Sequence, residues 1–239
     1  MIYITGDKHG DFDFLDYFCE KYNTTVDDIL IILGDAGINY YLNELDYKLK
    51  NKINKYPITL FCIHGNHEER PANINTYITK EFNDGIVYYE KEYPNILFSI
   101  DGEIYNFNGN KTISIGGAYS VDKKYRLEVG LKWYPSEQPS EEIKSRVKKA
   151  LKENNNEIDV ILTHTCPYKY VPKEKFLPWI DQSKVDNSTE YFLDEIEENT
   201  KYNKWYCGHY HTDKTIDKIR FMMYDIDEFE RVKVKRKNC

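Results

Sequence analysis

The sequence predicts an α/β fold, and repeated strand-then-helix units in the first third of the chain are the main reason. The continuous apolar runs at Ile29–Leu33 and Ile58–Ile63 have the pattern of strands buried on both faces of a parallel sheet. Each run leads into glycine and polar residues, and so does the first strand, Ile2–Thr5. Residues 86–120 instead alternate aromatic and polar side chains, which predicts a second, more antiparallel sheet.

Helical patterns separate the predicted strands. Apolar residues at helical spacing predict a helix that begins at an Asp11 N-cap, and a second helix is expected over 41–55. Ser140 is placed to cap a third helix that ends near Asn154. The remaining predicted elements are a hairpin turn at 108–110, strands at 158–164, 204–211 and 218–227, and a helix at 188–200.

Residues 118–140 lack clean periodicity and contain two prolines, so we interpret them as a long functional loop or lid. The basic end at 231–239 is expected to be a solvated strand and tail. No linker or repeat divides the chain, which predicts a single domain over 1–239.

Composition limits the classes of function. The formal net charge is −7, so a basic field that would grip nucleic acid is not evident. An apolar run long enough to span a membrane is absent from the sequence, and the N-terminus does not have the pattern of a signal peptide. The five cysteines form no CxxC pair, which favours buried, reduced thiols and a cytoplasmic location.

The histidines carry the strongest functional signal. Each of the six lies within a few residues of the C-terminal end of a strand-like run, where ligands bind in open α/β sheets. Five predicted strands deliver polar groups to this edge, and those groups are Asp7, His9, Asp35, Asn66, His67, His164, His209 and His211. Asp7 and Asp35 have the alternative of capping helices, and Asn66 that of a turn residue.

These residue types suit a pair of divalent cations. Neutral imidazoles and carboxylates bind Zn, Fe or Mn, and a carboxylate such as Asp35 can bridge two ions through its two oxygens. Two cations about 3.5–4 Å apart acidify a shared water and neutralise the oxygens of an ester, so hydrolysis of phosphate esters is the leading use.

The sequence blocks "GDKHG", "GDAG", "GNHE", "THTCP" and "CGHYH" occur in this order between residues 6 and 211. Together they resemble the five blocks of the calcineurin-like metallophosphoesterases. The resemblance implies two mixed β-sheets packed face to face with helices on the outside, a four-layer sandwich. It also implies a hydrolase in which a hydroxide activated by two metal ions attacks the phosphoester.

The resemblance also implies individual roles. Asp7, His9 and His211 would bind the first metal, and Asp35 would bridge to the second. The second metal would be completed by Asn66, His164 and His209. The remaining residue, His67, would act as general acid or would steady the phosphoryl group. Two divalent ions are expected as cofactors, with Mn favoured and Fe, Zn or a mixed pair as alternatives.

One block departs from the phosphoprotein-phosphatase branch of this family. Where that branch has an acid that supports the histidine and an arginine that clamps phosphate, this chain has Ile38 and Asn39. Arg70 and Arg126 are the candidate substitutes for the clamp, although each could equally form a surface ion pair. Tyr119, in the lid near Arg126, is a further candidate for substrate binding. What supports His67 stays open.

The sequence therefore predicts a metal-dependent phosphoesterase, with a phosphomonoesterase favoured and a small molecule or a protein as the phosphorylated substrate. A phosphodiesterase or nucleotide hydrolase is the first alternative, because an acidic protein can still bind mononucleotides. A metal-binding scaffold without turnover is the second alternative, and the intact ligand set together with His67 argues against it.

Overall fold

A computed structural model describes residues 1–232, so most of the predicted basic tail lies outside the described residues. Thirteen strands and five α-helices follow one another within these 232 residues. The strands are β1 Ile2–Thr5, β2 Ile29–Ile32, β3 Thr59–Cys62, β4 Ile78–Phe82, β5 Gly85–Glu90, β6 Tyr93–Ser99, β7 Ile104–Phe107, β8 Asn110–Ile115, β9 Val160–Thr163, β10 Lys204–Cys207, β11 Lys214–Ile216, β12 Ile219–Phe221 and β13 Ile226–Glu228. The helices are α1 Phe14–Tyr22, α2 Glu44–Ile53, α3 Lys123–Val129, α4 Glu141–Glu153 and α5 Ser188–Asn199.

The strands form two mixed sheets, as predicted. The first has the order β13-β1-β2-β3-β6-β5-β4, and the second has the order β11-β12-β10-β9-β8-β7. One apolar cluster joins residues of both sheets, among them Ile4 and Phe61 from the first and Tyr105 and Leu162 from the second. This cluster is the core between the sheets, so the sheets pack face to face.

Helices cover the two outer faces. Leu15 and Phe18 of α1 pack with Leu30 of the first sheet in one cluster. On the opposite side, Val147 of α4 and Phe192 of α5 pack in a cluster with strands of the second sheet. The result is the four-layer sandwich that the resemblance implies.

The strands in the middle of the chain are divided between the sheets, which corrects one expectation. β5 and β6 extend the first sheet, where β6 pairs parallel with β3. Only the hairpin of β7 and β8 belongs to the second sheet, and its turn lies at the predicted Asn108 and Gly109. The centre of the second sheet is parallel, through the β8–β9, β9–β10 and β10–β12 pairs, so it is not the more antiparallel sheet that was expected.

The helices differ from prediction at their ends. α1 begins at Phe14 because Asp11 forms a turn in which its Oδ1 accepts from the Asp13 amide at 3.1 Å. α2 covers only part of the predicted 41–55, since Asn43 caps it by accepting from the Leu45 amide. Ser140 caps α4 as predicted.

The 118–140 segment contains α3, a helix where the sequence predicts a loop. Throughout residues 1–232, no helix combines the length and the apolar character needed to cross a membrane. The four cysteines in the same part of the chain are buried and free of disulfides.

Candidate metal centre

The carboxyl ends of five strands bring the predicted ligands together. Asp7 and His9 follow β1, Asp35 follows β2, and Asn66 follows β3, all from adjacent parallel strands of the first sheet. From the second sheet, His164 follows β9, and His209 and His211 follow β10. The site therefore lies where the same edges of the two sheets meet.

Asp7, His9 and His211 form the first cluster. The Nε2 atoms of His9 and His211 are 3.1 Å apart. Oδ2 of Asp7 lies 3.3 Å from Nε2 of His211 and 3.9 Å from Nε2 of His9. One potential ligand atom from each residue thus falls within 4.8 Å of the others, which is close enough for a single ion.

Asn66 lies at the centre of the second cluster. Its Oδ1 is 2.8 Å from Nε2 of His164 and 3.1 Å from Nδ1 of His209. Oδ2 of Asp35 is 3.6 Å from Nε2 of His164 and 3.9 Å from Nδ1 of His9, so Asp35 faces both clusters. Asp7, Asp35 and His164 also form a group with ligand atoms within 4.8 Å.

The hydrogen bonds around the second cluster leave acceptor atoms facing one another. Nδ1 of His164 donates to the Leu33 carbonyl at 2.7 Å, so Nε2 is the ring nitrogen that can ligate a metal. Nδ2 of Asn66 donates to Oγ of Ser120 at 2.9 Å, so the amide oxygen faces His164. Two acceptors 2.8 Å apart repel unless a positive charge lies between them. The donor set therefore fits a bound cation.

Four of the candidate ligands have strained backbone conformations. His9, Asp35, His209 and His211 all have φ between 45° and 64°, in the left-handed region that side chains with a Cβ rarely adopt. Such strain persists only where surrounding contacts over-determine the conformation, and it clusters at functional sites.

Two glycines allow close approach to the carboxylates. A Cβ on Gly65 would lie 2.0 Å from Oδ1 of Asp35, and one on Gly208 would lie 2.1 Å from Oδ1 of Asp7. Both contacts are too short for any side chain. The glycines that precede Asn66 and His209 therefore make room for the neighbouring ligand.

The electrostatics favour the forms that bind metal. Burial alone would raise the pKa of Asp35, but the imidazoles of His164, His67 and His9 outweigh it, and the pKa falls well below its usual range. The pKa of Asp7 is also lowered, because His164 and His211 outweigh burial. Burial lowers the pKa of His209 to about 3, so its ring is neutral. Carboxylates and neutral imidazoles are the states that ligate divalent metals.

His67 faces the site from beside Asn66. Its backbone amide donates to Oδ1 of Asp35 at 2.8 Å, and its Nε2 lies 3.9 Å from Oδ2 of the same residue. On the other side of the ring, Nη2 of Arg126 contacts Nδ1. Because arginine can only donate, Nδ1 of His67 accepts and Nε2 carries the proton.

Arg126 is held in place from three sides. Its Nε donates to Oδ2 of Asp122 at 2.7 Å, and its Nη1 donates to the Lys132 carbonyl at 2.9 Å. The guanidinium also lies over the Tyr40 ring, 5.6 Å from its centroid. This contact to His67 could not be read from the sequence, since it joins α3 to a loop 59 residues earlier.

The remaining residues considered for substrate binding or for support of His67 differ in whether they reach the cavity over the site. Ile38 is fully buried, and Oδ1 of Asn39 accepts from the Tyr77 hydroxyl at 3.0 Å. Arg70 is buried, pairs with Asp101 and donates to the Ser136 carbonyl, so the structure does not bring it into the cavity over the site. Tyr119 does line that cavity.

Sequence reasoning missed Ser120. Ser120 orients the Asn66 amide, and no local pattern marks it. Oε1 of Glu68 accepts from the Gly65 amide at 3.1 Å, which ties the end of the "GNHE" block to its beginning. Burial, together with the nearby Asp35 charge, raises the pKa of Glu68 to about 8.

Two cavities open from the candidate centre. One of about 420 Å³ lies over Asp35, Asn66, His209 and His211. Another of about 380 Å³ lies beside His9, between α2 and Arg126, and His67 lines both cavities. A molecule bound at the centre therefore has space on two sides of His67.

A family profile described as calcineurin-like phosphoesterase matches residues 1–213. The chain belongs to this family. Membership supports metal-dependent hydrolysis of phosphoric esters by this calcineurin-like phosphoesterase, and residues of the two clusters are its candidate metal ligands. A comparison with curated proteins finds no match.

One of two similar solved structures supports the fold. The crystal structure of TT1561 of Thermus thermophilus is similar, with a TM-score of 0.50 and 13% identity, over 93% of this chain and 87% of that one. The phosphopantetheinyl hydrolase of Mycobacterium tuberculosis is similar over the same shares of each chain, with a TM-score of 0.43 and 12% identity. At 13% identity the likeness to TT1561 concerns the fold alone.

Proposed function

We propose that this protein hydrolyses phosphomonoesters with two divalent cations, one in each ligand cluster. The single observation that carries the proposal is the convergence of seven potential ligands from five strand ends, with Asp35 facing both clusters. Asp7, His9 and His211 would hold one ion, and Asn66, His164 and His209 the other. When bound, such ions neutralise phosphoryl oxygens and lower the pKa of a water.

Hydrogen bonds from neighbouring groups hold two of the candidate ligands in place. The Leu33 carbonyl fixes the His164 ring, and Ser120 fixes the Asn66 amide, so neither side chain needs to reorganise when a ligand binds. Removing a group that hydrogen-bonds to a metal ligand typically lowers metal affinity or activity by about 10- to 100-fold.

His67 has the geometry of a hydrogen-bond donor to substrate. With Nδ1 accepting from Arg126, the Nε2–H group faces the cavity side of Asp35. Burial lowers the pKa of His67, so its ring is neutral near pH 7. A neutral imidazole donates a hydrogen bond readily but gives up its only N–H proton at high cost. We therefore assign His67 to steadying the phosphoryl group rather than to general acid catalysis.

Arg126 favours a monoester over a diester. A guanidinium has five N–H donors, and three of those in Arg126 are engaged with Asp122, Lys132 and His67. The two others are available in the cavity that Arg126 lines with His9 and His67. A monoester dianion has one more charged oxygen than a diester, so it gains more from this cation.

The test uses protein stripped of metal and reloaded with Mn²⁺, Zn²⁺ or Fe²⁺ in separate samples. We expect hydrolysis of p-nitrophenyl phosphate that depends on added metal, with Mn²⁺ giving the highest rate and about two ions bound per chain. Metal content measured by mass spectrometry alongside the rate separates a poor metal from a poorly loaded protein.

Bis(p-nitrophenyl) phosphate is the matched substrate control. A higher rate on this diester would replace the monoesterase proposal with the phosphodiesterase alternative. Stoichiometric metal binding without turnover of either ester, for every metal tried, would instead favour the scaffold alternative.

A further inference from the structure

The cavity over the metal centre has a polar floor and largely apolar walls. Residues of the centre form the floor, which includes Asp35, Asn66 and His209. The walls come from two segments, 119–122 and 171–187, together with Tyr210. The apolar and aromatic side chains of the walls are Tyr119, Val121, Val171, Phe176, Leu177, Ile180, Val185 and Tyr210.

The cavity continues outward as a groove. A second cavity of about 700 Å³ shares its inner lining with the first through six residues, among them Val121, Leu177 and Ile180. At the outer end of this groove are Tyr125 and Trp179, with 60% and 75% of their surface exposed. Apolar and aromatic side chains thus line the groove from the metal centre to these two aromatic rings, and Asp122 is the one charged residue that both cavities share.

The charges along the groove are balanced rather than cationic. Lys124 pairs with Glu128 at 3.7 Å, and Lys184 pairs with Asp181 at 3.2 Å. These outer lysines therefore offer no unpaired positive field that would select a polyphosphate or a nucleic-acid backbone. One further cation, Lys175, lines the inner cavity but not the outer one. The cationic recognition that a phosphoester needs is therefore confined to the inner end, at the centre, at Lys175 and at Arg126.

We infer that the groove binds the alcohol part of the phosphoester, and that this part is an extended alkyl or aryl group without further charge. This inference rests on the proposed function, because a phosphoryl group bound at the centre would place its ester oxygen at the inner end of the groove. The alcohol part then removes apolar wall surface from water, and that burial drives binding in proportion to area.

A chain-length series tests the inference. Phosphate monoesters of linear alcohols with two, four, six and eight carbons are compared by kcat/KM. All are used at concentrations too low for the esters to form micelles. Each buried methylene is expected to raise kcat/KM by up to about fourfold, until the chain reaches Trp179. Nucleoside monophosphates of similar size, which carry polar bases and sugars, are expected to react more slowly than the eight-carbon ester.

Two matched variants locate the effect. Leu177→Ser changes a wall residue that is 41% exposed, so the fold should tolerate it, and we expect it to flatten the chain-length dependence. Leu127→Ser is the control, since Leu127 is an exposed leucine of α3 that lines none of the three cavities described above. An unchanged dependence in Leu177→Ser, or an equal loss in both variants, would overturn the inference.

Binding separates this inference from the proposed function. Non-hydrolysable alkylphosphonates of the same lengths are titrated into the metal-loaded protein by calorimetry. Affinity that grows with chain length, without turnover of any ester, would refute the proposed function and leave the groove assignment standing. Turnover of p-nitrophenyl phosphate with no chain-length effect in either assay, or a preference for the nucleotides, would refute the groove assignment alone.

Discussion

The floor and the walls of the site are built in opposite ways. The floor consists of strand-end loops whose candidate ligands Asp7, Asp35, Asn66 and His164 are almost fully buried. The walls consist of residues 119–122 and 171–187 together with Tyr210, and they carry exposed apolar side chains such as Leu177 and Trp179. The floor has the rigidity that metal binding requires, whereas the walls offer surface that varied substrates can cover. We therefore expect floor substitutions to change the reaction and wall substitutions to change the choice of substrate.

Asp35→Asn should give the largest effect and is the strictest test of the floor. The amide removes the charge that faces both clusters, which is expected to cost several kcal/mol of transition-state stabilisation, on the order of a thousandfold in rate. Metal content by mass spectrometry should fall in the same sample. Asp27→Asn, at an exposed aspartate, is the control; a rate close to that of the parent in Asp35→Asn would remove Asp35 from the site.

His67→Ala separates chemistry from metal binding within the floor. We expect the variant to keep its metals and to lose about a hundredfold or more in kcat, because one donor to the phosphoryl group is gone. Parallel measurement of metal content and kcat checks this. Loss of metal with the activity would mean that His67 is a ligand, contrary to its assigned role.

Glu190, beside the floor in α5, tests how much stability the protein loses by burying a carboxyl group. This α5 carboxyl accepts from Oγ of Thr165 at 2.7 Å, and burial raises its pKa from 4.5 to about 7. The folded protein therefore keeps a proton that the unfolded chain releases above pH 4.5. The contribution of Glu190 is fully present below pH 4.5 and is lost as pH rises through about 7, so the free energy of unfolding should fall by about 1–2 kcal/mol between pH 5 and pH 7.

Urea titrations across this pH range provide the measurement. Glu190→Gln should remove this part of the pH dependence, while Glu198→Gln, at an exposed position of the same helix, should leave it intact. If the free energy of unfolding depends on pH in the same way in Glu190→Gln and in the parent, Glu190 ionises normally in the folded protein.

Arg126 tests the boundary between floor and walls, since it reaches from α3 to His67. We expect Arg126→Ala to lower kcat by about tenfold, and Arg126→Lys to restore part of it, because lysine keeps a donor but not the planar geometry. Lys124→Ala, on the exposed side of α3, is the control.

A spectroscopic readout distinguishes positioning from general damage. Nitrogen NMR of labelled histidine should report the proton of His67 on Nε2 in the parent and a mixture of both ring tautomers in Arg126→Ala. An unchanged tautomer in the variant would mean that Arg126 does not orient the ring.

The floor was predictable because local sequence determines it. A buried strand followed by glycine and a polar residue needs no knowledge of distant contacts, and parallel strands necessarily bring such ends to one edge. The position of Asn66, for example, follows from the apolar run before it. The division of the middle strands was not predictable, because β6 pairs with β3 through a long-range register that the alternating pattern of either strand does not specify.

The walls were harder to predict for a different physical reason. In α3, Tyr125, Leu127 and Val129 are exposed, so the helix has no apolar face whose spacing would reveal it. Its position depends on tertiary contacts of Arg126 with the Lys132 carbonyl and with His67. The same contacts supply the support for His67 that Ile38 and Asn39 cannot give.

The pairing of His9 with His211 has a consequence for how the chain holds together. These residues are 202 positions apart, and their ring nitrogens are 3.1 Å apart. One ion shared by both would act as a reversible cross-link that closes almost the whole polypeptide into a ring. By the chain-entropy relation for cross-links, closing a loop of that length raises the free energy of the unfolded chain by about 5 kcal/mol. Metal binding would then join the loop after β1 in the first sheet to the loop after β10 in the second sheet, and it would stabilise the contact between the two sheets.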